Sequence, residues 1–171
     1  MNLLLENKIV TDYAAPPVSL STAKAYMKVN FTDDDALITS LVKNATLWLE
    51  NYTSLSYAYR TIKLTIEMNA NEFYLLPGPV RSVTAVSIIE GDDVPVSDYL
   101  LVGGQIKVYA SAIYEITVSV GYLTIPKDAE NDILAITAYT YQNRGIDLSN
   151  ENASLVDFPL LSSAYYKRLA I

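Results

Sequence analysis

The chain has 171 residues, enough for one domain with a sizeable core or two small modules sharing one. Hydrophobic residues make up 51% and charged residues 18%, a balance that folds rather than staying disordered. There is no cysteine and no histidine, which excludes disulfides, thiolate or imidazole metal sites, a cysteine nucleophile and a Ser-His-Asp triad. The net charge is −7, and Arg60, Arg81, Arg144 and Arg168 lie far apart, so no cationic stripe is available to grip phosphates.

Residues 1–17 read as an N-terminal arm ending at Pro16-Pro17. The arm lacks a basic n-region and a long apolar h-region, so it does not read as a signal peptide. Ser19 is expected to cap a short helix over 19–28, with Leu20, Ala23 and Met27 on one face.

"KVNFTDDDALITSLV" then places Asp33, Asp34 and Asp35 in a row, which suits either a metal site or a helix start. Leu37, Ile38, Leu41, Val42, Ala45, Trp48, Leu49 and Tyr52 follow at helical spacing. A helix over 33–53 is therefore predicted, with Thr32 or Asp33 as cap and the carboxylates at the positive end of its dipole. No Asp-x-Asp-x-Asp-Gly loop follows the aspartates. Trp48 falls on the apolar face and is expected to be mostly buried.

From Tyr57 the period changes to 2. "RTIKLTIEM" (60–68), "FYLLPGPV" (73–80), "SVTAVSII" (82–89), "DYLLV" (98–102), "QIKVYA" (105–110) and "YEITVSVGY" (114–122) read as short strands. Gly91-Asp92-Asp93 reads as a turn, and Gly103-Gly104 as the turn of a hairpin. A third helix is predicted over 127–143. It has Asp128, Glu130 and Asp132 near its start, Ala129, Ile133, Ile136, Thr137 and Thr140 along one face, and Gly145 at its C′ position. A polar loop over 146–157 leads to "FPLLSSAYYKRLAI", an apolar-aromatic hook. No apolar run approaches the roughly 20 residues a membrane span needs.

The predicted fold class is α+β: a small bundle of three main helices with an antiparallel β sheet or sandwich inserted over 57–122, and a C-terminal hook. The arm (1–17), a connector domain (18–145) and a docking segment (146–171) form the predicted organisation. Fourteen tyrosines against three phenylalanines favour surfaces that are apolar with a polar tip, as at interfaces. The hook residues Phe158, Leu160, Leu161, Tyr165, Tyr166 and Arg168 have the make-up of an interface anchor. No catalytic constellation and no cofactor site is expected.

The order of motifs resembles the head–tail connector (adaptor or head-completion) proteins of tailed phages. The similarity rests on Pro17, Leu20-Ser21, Ala23-Lys24, Asp34-Asp35 with Leu37-Ile38, Tyr52-Thr53, "FYLLPGPVRSVTAVSI" and "ITVSVGYLTIPKDAENDILAITAYTYQNRG". It spans roughly 16–145 and returns weakly at 158–168. The resemblance implies a virion protein, assembled in the host cytoplasm, that forms a ring, usually of twelve copies, between portal and tail. DNA would pass through without specific binding, and no membrane is involved. Other readings are a tail-completion or neck protein one layer lower, a carboxylate-dependent hydrolase, and a binding module that stays monomeric.

Overall fold

A computed structural model describes residues 2–13, 15–69, 72–75, 77–90 and 92–143. The hook residues and Gly145 lie outside them. The described fold is α+β, with three helices and two antiparallel sheets in two compact units.

The first unit combines residues 1–14 with 54–123. Its larger sheet runs in the order β1 (Leu3–Thr11), β2 (Arg60–Asn69), β8 (Ser111–Val120), β4 (Val80–Glu90), β5 (Asp92–Pro95). A smaller sheet orders β3 (Glu72–Tyr74), β7 (Gln105–Val108) and β6 (Tyr99–Val102). The period-2 pattern decides the packing. Ile62, Leu64, Ile66 and Met68 of β2 and Tyr114, Ile116, Val118 and Val120 of β8 all face one core, which Leu75, Val86, Ile106 and Val108 complete. The opposite face of β2 and β8 is polar, with Lys63 bridging to Glu115 at 2.7 Å.

Gly103 (φ 60°) and Gly104 (φ 85°) close the β6–β7 hairpin as a two-residue turn with both central residues at positive φ, as predicted. Two strands exceed the sequence reading. The arm contributes β1, paired along β2, and Asn2 pins its start by donating to the Glu72 carbonyl at 2.8 Å and accepting from the Asn69 N–H at 3.1 Å. Asp92 and Asp93 belong to β5, opposite Glu90 and Ile89, rather than to a turn. The ladder to β4 satisfies their backbones better than a longer turn would.

Among the described residues the second unit combines 15–53 with 124–143. Its helices are α1 (Leu20–Met27), α2 (Asp35–Thr53) and α3 (Lys127–Gln142). Ser19 is the N-cap of α1, its Oγ accepting the Thr22 N–H at 3.1 Å. Ala23 of α1, Ile38, Val42, Ala45 and Leu49 of α2, and Ala129, Ile133 and Ile136 of α3 are buried. Buried threonines return their hydroxyls to the helix: Thr46 donates to the Val42 carbonyl, Thr53 to Leu49 and Thr137 to Ile133, at 2.7–2.8 Å. Polar residues are thereby accommodated inside the bundle without orphaned donors.

Candidate interaction surfaces

The three aspartates separate into different jobs. Asp33 is exposed in the turn before α2. The first helical bond runs from the Ile38 N–H to the Asp34 carbonyl at 2.8 Å, which places the N-cap at Asp34, one residue beyond the expected Asp33. The reason is a preceding turn, closed by the Asp35 N–H on the Thr32 carbonyl at 3.1 Å, which delays the helix. The Asp34 carboxylate accepts the Tyr141 hydroxyl of α3 at 2.6 Å. Asp35 pairs with Lys24 of α1 at 2.5 Å, and the same Lys24 ammonium donates to the Phe31 carbonyl at 2.7 Å. Two carboxylates thus tie the start of α2 to both neighbouring helices.

Replacing Asp34 with Ala should lower stability by about 1–2 kcal/mol, through loss of the cap position and a charge-assisted hydrogen bond. Asp33→Ala should stay within about 0.5 kcal/mol. Urea denaturation of the two variants separates them, and equal losses would return the cap to Asp33.

The apolar face of α2 is wider than the face its own unit covers. Ile38, Val42, Ala45 and Leu49 are buried, whereas Leu37, Trp48 and Tyr52 are exposed, Trp48 by 39%. This corrects the expectation of a mostly buried Trp48. At 100° per residue Trp48 lies a quarter-turn or more from the centre of the buried stripe. Its ring stacks on Tyr52, with centroids 5.3 Å apart and planes 5° apart, so the two aromatics form a flat exposed patch. Trp48→Ala should cost about 1 kcal/mol, the scale of a stacked pair rather than of a core cavity. A loss above about 3 kcal/mol in thermal denaturation would show a buried role.

A second exposed surface lies in the sheet unit. Leu3, Leu4, Leu5, Ile9 and Val10 of β1 are 41–53% exposed, and beyond β2 the strand has no neighbour among the described residues. An apolar strand with an open edge is a template for another chain. Sequence reading missed it, although "LLLENKIV" is apolar and β-branched enough to have signalled a strand.

Among the described residues no group of acidic side chains is arranged to hold a metal, and no helix is long and apolar enough to cross a membrane. Lys24, Lys63, Lys107 and Lys127 each have a carboxylate within 3.3 Å. Burial pushes the Tyr114 phenol above its ordinary value of 10.0; its ring packs in the sheet core while its hydroxyl reaches the edge of that core and donates to the carbonyl of exposed Ala110 at 2.9 Å. Tyr114 therefore serves packing and offers no exposed acid or base.

Among the described residues, apolar side chains thus reach the surface on α2 and on β1. Residues 17–90 match the family model described as Phage gp6-like head-tail connector protein, which bears out the resemblance read from the motifs. No curated protein matches the chain. Solved structures share its fold. A chain in the virion of a native gene transfer agent (GTA) particle aligns at TM-score 0.78 and 17% identity, over 98% of this chain and 97% of that one. One in the neck of a native GTA particle computed with C12 symmetry aligns at 0.77 and 17%, with the same coverage. A third, in the neck of an empty GTA particle computed with C6 symmetry, aligns at 0.73 and 18%, over 82% and 86%.

Proposed function

We propose that this protein is a structural connector of a phage-like particle, assembled as a ring at the head–tail junction. The observation that carries the reading is the connector-family match over 17–90, joined to a fold that follows a chain of a GTA particle neck, and one of a GTA virion, over nearly its whole length. In this reading twelve copies surround the DNA path below the portal and present their lower face to a tail or neck protein. The net charge of −7 and the pairing of Lys24, Lys63 and Lys107 with carboxylates favour passage of DNA over retention. Residues 158–171 act as a docking segment through Phe158, Leu160, Leu161, Tyr165, Tyr166 and Arg168, whose composition is that of an anchor onto another chain.

The test is removal of the chain from cells that make the particle. Filled heads without tails are expected, with tails added back by the purified protein. Particles with normal tails would overturn the assignment. Truncation at residue 157 should leave circular dichroism unchanged while restoring no tails; full restoration would dismiss the docking role of the hook.

A further inference from the structure

Among the described residues, the larger sheet of the first unit has two free edges at its opposite ends. One is β1, open along its whole length beyond β2. The other is the first part of β4. β5 pairs with Ser87–Glu90 and the Val96 N–H reaches the Val86 carbonyl at 2.8 Å, so among the described residues Val80–Ala85 have no strand partner on that side. Arg81, Ser82, Thr84 and Ala85 are accordingly exposed. Where the chain after β5 departs from β4 it leaves a groove of about 610 Å³, lined by Thr84–Val86 on one wall and by Pro95–Ser97 and Tyr99 on the other.

Resting on the ring reading above, we infer that β1 of one copy seats on this β4 edge of the next, so that subunits are joined by a shared sheet. Three observations select this occupant. Strand direction is the first. The sheet is antiparallel at every step from β1 through β2 and β8 to β4, so β1 of a second copy continuing it beyond β4 also runs antiparallel. Edges at opposite ends of one sheet make a head-to-tail contact, which repeats from subunit to subunit instead of stopping at a dimer and gives a ring where the rotation per step closes.

Register is the second. Irregularities after Leu4 in β1 and after Val80 in β4 space the residues on the core side of the sheet three apart in both strands, those of β1 being themselves exposed. Leu4 and Asn7 stand opposite Ile66 and Leu64, while Val80 and Val83 stand opposite Val120 and Val118. Setting Leu4 against Val83 and Asn7 against Val80 keeps both strands in phase with the core. It brings Leu3 against Thr84, at the groove.

Charge is the third. The same register sets Glu6 against Arg81, an exposed cation at the β4 edge whose Nε also donates to the Gly121 carbonyl at 3.0 Å. Opposite charges facing each other across a strand pair favour this alignment.

The chain has no cysteine, so introduced thiols read cleanly. Particles are purified from cells making the chain with Leu5→Cys and Ser82→Cys together, and are treated with a short thiol cross-linker. A ladder of covalent multimers is expected on denaturing gels, with no ladder from either single variant. A dimer from Leu5→Cys alone would mean that β1 pairs with β1, and would overturn the inference. So would incorporation of the double variant without a ladder. Charge reversal gives an independent measure. Glu6→Arg should cut incorporation at least tenfold, and adding Arg81→Glu should restore it. Wild-type incorporation of Glu6→Arg, or no rescue by the pair in a chain whose circular dichroism is normal, would also overturn it. Absence of the unmodified chain from particles would instead defeat the connector assignment.

Discussion

Replacing Gly121 with Ala should be among the most damaging single changes in the molecule. Gly121 ends the β8 ladder at φ +99°, a conformation that costs an L residue about 1–2 kcal/mol. A Cβ there would lie 2.0 Å from the Ala58 carbonyl oxygen and 2.6 Å from its carbon. Both are backbone atoms, so no side chain can swing aside. The segment is held further by the Gly121 N–H on the Pro79 carbonyl at 2.9 Å and by Arg81 on the Gly121 carbonyl. Overpacking of this kind adds about 1–3 kcal/mol or more. A total of about 2–5 kcal/mol is expected, a large share of the stability of a typical domain. Urea titration followed by circular dichroism measures it. A loss below about 1 kcal/mol would mean that the Ala58 segment yields easily.

The second large effect is Leu64→Ala. Leu64 is fully buried at the centre of β2, between Asn7 of β1 and Ile116 of β8. Truncation removes three heavy atoms from a packed sheet core and should cost about 2–5 kcal/mol. The chain passes between its two units three times, at 14–15, 53–54 and 123–124, so neither unit is one continuous segment. We expect the units to unfold together. Trp48, the single tryptophan, lies in the helical unit and reports on it alone. Its fluorescence midpoint should fall in step with the far-ultraviolet midpoint in Leu64→Ala. A sheet transition that moves while the Trp48 transition stays would show two independent units.

Local periodicity carried most of the fold into the sequence. The Leu37–Tyr52 spacing marks α2, the Ile62-Leu64-Ile66 alternation marks β2, and Gly103-Gly104 marks the hairpin. Each is a property of neighbours within one turn or one ladder step. The Ser19 cap was readable for the same reason, as was the acidic start of α2 to within one residue. The absence of cysteine and histidine removed whole classes of chemistry by composition alone, and the ordered motifs pointed to the connector family.

Tertiary structure decided what local pattern leaves open. Helical spacing shows that α2 has a broad apolar face. It does not show where neighbours stop covering that face, so Leu37, Trp48 and Tyr52 proved exposed while Ile38 and Leu49 are buried. Asp34 and Asp35 look equivalent in sequence, yet one accepts from Tyr141, 107 residues away, and the other from Lys24. Gly121 stands in a motif whose purpose emerges only when the Ala58 carbonyl is seen against it. The β1 strand and the open β4 edge are likewise relations between distant segments, since an edge exists only once the order of the sheet is known. Composition and periodicity are set by the chain alone, whereas exposure, pairing and free edges depend on which segments the fold brings side by side.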